Sequence, residues 1–180
     1  PQVTFEFKTK SIEIDNLLKT KHSGNIVVSW SLNPQVVIDE NEFFSSSLDE
    51  RLAAAKRCVA CGYKVGFHFD PIIYFSGWQD EYARLIESLF AGIKPKDIAW
   101  ISLGTLRFRP ELKTVIESRF PNNKILDEEL LLGYDNKLRY SDKIRYGVYS
   151  YMISAIRGYS NDIELYLCME DKNMRSDLNL

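Results

Sequence analysis

The chain has 180 residues, 45% hydrophobic and 27% charged, with a formal net charge of -2. That length can bury a core in one domain, while no apolar run approaches a membrane span and no charged, apolar and small-residue order opens the chain as a signal peptide. Near-neutral charge makes no bulk case for nucleic acid, so any basic footprint has to be local, and a soluble cytoplasmic protein is expected.

Val3 to Phe7 reads as a strand that empties into Thr9 and Lys10, after which Ile12, Ile14, Leu17 and Leu18 form an apolar helical stripe. A second strand, Asn25 to Trp30, ends in Ser31, Leu32, Asn33 and Pro34, with its helix expected only from about Leu48. A third, Tyr63 to Phe69, ends at Asp70 and Pro71. The helix after it starts near Gly77 and carries Trp78, Tyr82, Leu85, Ile86 and Leu89 at helical intervals. Asp97 to Leu103 reads as a fourth strand, with Gly104 and Thr105 at its mouth. Parallel strands joined by helices cross over in one hand, so their C-terminal ends share a side, and ligands of such folds bind there.

Pro110 opens a helix through Val115, Ile116 and Phe120, with Pro121 beyond its end. Leu130, Leu131 and Leu132 lead into a hairpin whose tight turn is expected at Asp135 and Asn136. Ser141 or Asp142 caps a helix from about Lys143 to Arg157, ended by Gly158, and a strand-like run follows through Ile163, Leu165 and Leu167. The expected organisation is a single domain over 1–170 and a polar, frayed tail over 171–180. The chain opens at Pro1, and a first strand without a neighbour would leave an exposed apolar edge, so the second half of a larger barrel is expected.

Cys58 and Cys61 have the C-x-x-C spacing of redox and zinc sites, but they end a helix, where the dipole does not lower a thiol pKa. The expectation is buried structural thiols, with Cys168 in the core, no disulfide framework and no metal site.

Lys10 at one strand end, Ser31 and Asn33 at the next and Asp70 at the third suit a small zwitterion. No nucleophile and base pair accompanies them: Ser31 has no His nearby in sequence, and His68 reads better as a satisfied interior histidine than as a catalytic one. Chemistry at such a mouth has to come from a cofactor. Between Tyr134 and Tyr151, Lys137, Arg139, Lys143 and Arg145 interleave with Tyr140, Tyr146 and Tyr149. Basic groups beside aromatic faces suit single-stranded or flipped nucleotides, and the same pattern decorates solvated amphipathic faces; both readings stay open.

Thr9-Lys10, Lys19 to Gly24, Ser31-Leu32-Asn33, Leu48-Asp49-Glu50-Arg51, Gly62-Tyr63, Gly66-Phe67, Pro71-Ile72, Gly77-Trp78, Val115-Ile116-Glu117 and Arg139-Tyr140 form an ordered set. In order and spacing, from Thr9 to Tyr151, it resembles the C-terminal half of the spore photoproduct lyases. The resemblance implies an α/β fold: a partial TIM-type barrel, the C-terminal βα units of a radical S-adenosylmethionine enzyme, with a C-terminal hairpin and helix. It implies S-adenosylmethionine and a four-iron four-sulfur cluster as cofactors, and thymine-dimer repair in DNA by 5′-deoxyadenosyl radical chemistry.

By the same resemblance, Lys10, Ser31 and Asn33 would contact S-adenosylmethionine. Asp70 stands where the family has a small apolar residue near the adenosyl group, and either accepts from ribose hydroxyls or caps the next segment. Arg139 and Tyr140 match the hairpin that approaches DNA in that family, and Lys137 and Lys143 of the same basic stretch join them as nucleic-acid candidates. The cluster's C-x-x-x-C-x-x-C loop and the hydrogen-donating cysteine are expected in the N-terminal half of the same polypeptide, so no catalytic residue is assigned here and this portion alone is expected to be inactive. Leu103, Gly104 and Thr105 stand where the resemblance leads one to expect Gln and His. A radical S-adenosylmethionine enzyme with another substrate, a non-catalytic nucleic-acid-binding α/β module and a βα scaffold for an unrelated metabolite are the alternatives.

Overall fold

Each apolar run of the first half finds a parallel partner in the computed structural model, which describes residues 3–180; Pro1, where the expected domain starts, lies outside them. In chain order the first elements are β1 (Phe5–Thr9), α1 (Asp15–Leu18), β2 (Ile26–Ser31), α2 (Gln35–Asn41), α3 (Leu48–Ala60), β3 (Lys64–Ile72), α4 (Trp78–Gly92) and β4 (Ile98–Thr105). There follow β5 (Arg107–Phe108), α5 (Pro110–Arg119), β6 (Leu130–Leu132), β7 (Leu138–Tyr140), α6 (Asp142–Arg157), β8 (Leu165–Leu167) and α7 (Lys172–Asp177). One sheet has the order β1-β2-β3-β4-β8 and is parallel throughout, which bears out the α/β expectation.

Strand alternation divides the sheet into two faces. Val28, Trp30, Val65, Phe67, Phe69, Ile101, Leu103, Leu165 and Leu167 are buried with Leu52 and Ala55 of α3, Tyr82, Leu85 and Leu89 of α4, and Val148 and Met152 of α6. The intervening residues include Ser29, Ser31, His68, Asp70 and Ser102, beside Val27, Gly66 and Trp100. Helices therefore cover one face, and the other carries hydrogen-bonding groups toward the strand C-termini.

Several boundaries differ from the sequence expectation for physical reasons. The first helix shrinks to Asp15–Leu18 because Thr9 Oγ1 accepts from the Ser11 N–H at 2.9 Å and Ser11 Oγ from the Glu13 N–H at 3.1 Å, holding the backbone in turns. Helix α2 had no sequence forecast: its Val36-Val37-Ile38 run is β-branched, yet Pro34 precedes it and Val37 and Ile38 are buried. Helix α3 starts where expected because Ser47 and Glu50 form a reciprocal capping box. The hairpin gains a third strand, giving the antiparallel order β5-β7-β6, and only Asn136 of its turn takes positive φ (57°).

The tail is not frayed. Asp171 accepts from the Met174 N–H at 2.8 Å, and Met174 is buried, so the segment is a capped helix docked on the core. Cys58 is buried as expected, but Cys61 is exposed at the end of α3, and Cys168 is half-buried at the sheet mouth rather than in the core. No helix of the described residues is long and apolar enough to cross a membrane.

Candidate functional site

Glu42, which ends α2, is where the rim converges. Its Oε1 accepts hydrogen bonds from Lys10 Nζ and Asn33 Nδ2, both at 2.9 Å, and its Oε2 accepts from Arg51 Nη2 at 2.7 Å. Arg51, wholly buried on α3, donates also to the carbonyls of Ser31 and Ser46, each at 2.9 Å, and to the Ser45 hydroxyl at 2.7 Å. Asn33 is fixed from its other side as well: its Oδ1 accepts from the Tyr82 hydroxyl at 2.8 Å, and that oxygen accepts the Ile73 N–H at 2.9 Å.

The electrostatics of this group follow from its partners. Burial pushes the Glu42 carboxyl up, but the hydrogen bonds from Asn33, Lys10 and Arg51 outweigh it and hold it below its ordinary value, so it is ionised at neutral pH. One carboxylate then faces two cations, leaving one positive charge in excess. That charge is accessible at Lys10, whose side chain is 39% exposed against 0% for Arg51. An ammonium fixed at a strand end, with two protons beyond the one given to Glu42, can hold an anionic group such as a carboxylate.

Asp70 meets a largely buried arginine at the mouth of the sheet. Its carboxylate is taken up by Arg107, with Oδ1 accepting from Nη1 at 2.9 Å and Oδ2 from Nη2 at 3.2 Å. Burial lowers the Arg107 pKa, and the Asp70 carboxylate more than reverses that, so the guanidinium titrates above its ordinary value. Arg107 also donates to the Thr105 carbonyl at 3.2 Å and meets Cys168 Sγ at 3.4 Å. Gly104 makes the pair possible, because a Cβ there would lie 2.9 Å from both Arg107 Nη1 and Asp70 Oδ1.

Deeper on the polar face, Glu6 Oε1 meets Ser29 Oγ at 2.6 Å, His68 Nε2 at 2.7 Å and Trp100 Nε1 at 3.2 Å. Burial lowers the His68 pKa and its bond to Glu6 only partly opposes this, so the ring is neutral near pH 7 and donates Nε2–H to the carboxylate. His68 is a satisfied interior histidine.

The second cluster of sequence candidates divides between surface and interior. Arg139 is buried: Nη1 donates to Glu170 Oε1 at 3.1 Å, Nη2 to Asp135 Oδ1 at 2.5 Å, and the guanidinium lies 5.1 Å from the Tyr134 ring centre. Arg145 pairs with the other oxygen of Glu170 and with Asp142. Tyr140 is buried and its oxygen accepts the Tyr74 N–H at 3.2 Å, with burial pushing its hydroxyl up to about 12. Lys143 is exposed and Lys137, 3.6 Å from Asp135, is partly so.

Among the described residues no group of three His, Cys, Asp or Glu side chains could hold a metal ion. Burial pushes the Cys58 thiol up to about 11, the wrong direction for a metal ligand or redox thiolate, and Cys61 faces solvent. The sequence assigned no site role to Glu42, Arg51, Tyr82, Arg107 or Glu170. Arg51 alone left a trace: it falls on the apolar stripe of α3 between Leu48 and Leu52, where a charge needs a buried partner.

Comparison with known proteins gives a consistent result. A family model described as spore photoproduct lyase matches residues 2–169. A spore photoproduct lyase of Bacillus subtilis (strain 168) is 37% identical over 150 residues, which cover 81% of this chain and 41% of that protein. One from Geobacillus sp. (strain Y412MC61) is 37% identical over 125 residues, 68% of this chain and 37% of that protein. A solved spore photoproduct lyase double mutant with bound AdoMet and dinucleoside spore photoproduct matches with a TM-score of 0.79 at 30% identity, covering 92% of this chain and 51% of that one. The chain thus spans less than half the length of these two curated relatives and about half that of the solved structure.

Proposed function

This chain belongs to the spore photoproduct lyase family, and from that premise we propose that it forms the C-terminal half of a radical S-adenosylmethionine enzyme that repairs a thymine-dimer lesion in DNA. In this reading the parallel sheet is part of a TIM-type barrel, and residues 1–170 act as one domain. The observation that carries it is the rim at the strand C-termini, where Lys10, Ser31 and Asn33 share one network and leave an accessible positive charge at Lys10.

Those residues suit S-adenosylmethionine. Lys10 would take its carboxylate, the Ser31 hydroxyl a second polar end, and Asn33 the methionyl or ribosyl part. With an iron-sulfur cluster, the cofactor would supply the radical chemistry of lesion reversal, and the residues of this chain would bind and orient it. The cysteines of this chain do not suit the cluster: Cys58 is buried, Cys61 is exposed at the far end of α3, and Cys168 lies beside Arg107. Its ligands are assigned to the N-terminal half of the full-length protein. DNA would lie along Lys137 and Lys143, with Arg139 and Tyr140 holding the hairpin that presents them.

The Asp70–Arg107 pair favours a second reading, the same chemistry on another nucleotide substrate, because it puts a carboxylate where the family resemblance implies a small apolar residue and ties it to an arginine just beyond Leu103, Gly104 and Thr105, where the resemblance implies Gln and His. Full-length protein, reconstituted anaerobically, tests both. Binding of S-adenosylmethionine by calorimetry and conversion of dinucleoside spore photoproduct are expected for the first; binding without conversion points to the second, and no binding overturns both.

A further inference from the structure

We infer that Glu42 is the positioning residue of the cofactor rim: it sets where the Lys10 ammonium sits and which way the Asn33 amide faces, and so acts on the cofactor through Lys10. The inference rests on the proposed reading of Lys10 as a cofactor contact.

The geometry explains why Glu42 can do this. A lysine at a strand end, on a flexible four-carbon stem, samples many positions unless one is selected. Glu42 selects one because its own carboxylate cannot follow the lysine. Oε2 is held at 2.7 Å by Arg51, whose guanidinium is wholly buried and tied to the Ser31 and Ser46 carbonyls. Oε1 is then left at a fixed point and takes both Lys10 and Asn33 at 2.9 Å.

The same oxygen fixes the Asn33 amide. Glu42 offers only an acceptor, so the NH2 group must face it, and the amide oxygen must face the Tyr82 hydroxyl, which donates at 2.8 Å. A carboxylate shared by two cations also leaves the pair net positive, so the placed ammonium can still take a second, anionic partner. Glu42 touches no cofactor atom in this arrangement and works by placement.

Full-length protein and two ligands decide the matter. S-adenosylmethionine carries the carboxylate that Lys10 would hold, and 5′-methylthioadenosine lacks it. Glu42→Gln should weaken S-adenosylmethionine about tenfold, Lys10→Ala about the same, and the double variant no further, since both lose one interaction. Lys10→Ala should leave 5′-methylthioadenosine binding unchanged, and Glu42→Gln should weaken it less than it weakens S-adenosylmethionine, because only Asn33 reaches that part; an unfolded or loosened protein would lose both ligands. Glu42→Asp keeps the charge opposite Arg51 but is one methylene short of Lys10, and carries the comparison if the Gln variant does not fold. Wild-type affinity in the Glu42 variants, additive losses in the double variant, or parallel loss of both ligands overturns the inference while the cofactor reading stands. Failure of the wild-type protein to bind S-adenosylmethionine, or wild-type affinity in Lys10→Ala, overturns the reading and the inference with it.

Discussion

Arg139 and Glu170, 31 residues apart in the chain, meet in the interior with Nη1 3.1 Å from Oε1, and the other oxygen of Glu170 faces Arg145. Glu170 thereby joins the β7 hairpin, α6 and the end of β8. Replacing it with Gln leaves two buried guanidinium groups short of a counterion, so an equilibrium unfolding loss of roughly 3–5 kcal/mol is expected. Urea titration measures it, and a loss below about 1 kcal/mol would show that Asp135, Asp142 and Asp171 carry the two arginines by themselves.

The Tyr82 hydroxyl serves two buried partners, the Asn33 amide oxygen and the Ile73 N–H. Tyr82→Phe keeps the ring and strands both, so about 1–3 kcal/mol of stability should go with it. Urea midpoints at equal slope are the measurement; a shift of a few tenths of a kcal/mol would mean that water replaces the hydroxyl.

Gly104→Ala inserts a Cβ against Asp70 and Arg107, which hold each other with two hydrogen bonds. A displacement of that pair should cost about 1–3 kcal/mol. Because the obstacle is the pair itself, Gly104→Ala should be milder in an Asp70→Ala, Arg107→Ala background. Equal losses in the two backgrounds would place the clash elsewhere.

His68 and Glu42 both make stability fall on acidification, the first because burial disfavours its charged form and the second because its partners favour it. The folded His68 pKa lies below its ordinary 6.5, so neutral His68 contributes stability that is complete above pH 6.5 and is lost as pH falls through the folded value. Glu42, depressed below 4.5, contributes stability that is complete above pH 4.5 and is lost as pH falls further. Unfolding free energy should therefore decline in two steps on acidification, and His68→Gln should remove the upper one. A single step below pH 4.5 in the wild-type protein would count against the His68 assignment.

Lys137 and Lys143 are the sequence-predicted DNA contacts that reach solvent. In the full-length protein, Lys137→Ala with Lys143→Ala should reduce the slope of log affinity against log salt by about 2, one per phosphate contact. Arg139→Ala should instead act through unfolding, and an intact fold with a reduced slope would move Arg139 back to the DNA face.

The strands of the parallel sheet were legible in the sequence because alternating and apolar runs depend on neighbours two to four residues away, and so were α3, α4 and α6 with their stripes and stops. Helix α2 was not, since a Val-Val-Ile run favours a strand and only the burial of Val37 and Ile38 overrides it. With α2 unseen, Glu42 had no place to stand. The basic and aromatic stretch around Arg139 was legible as chemistry but not as position, because its decisive partner, Glu170, follows a helix and a strand. Asp70 was uncertain for the same reason, with Arg107 a further 37 residues along.

The first turn of α3 reaches further than its surface location implies. Ser47 and Glu50 close that turn, and Arg51, the next residue, grips Ser46 just before it and Ser31 at the end of β2. Opening of this exposed cap would slacken Arg51, and Glu42 and Lys10 in turn. A half-buried serine would thereby govern how sharply a distant lysine is held, and slow hydrogen exchange at the Glu50 and Arg51 amides would report, from outside the site, on how well the rim is set.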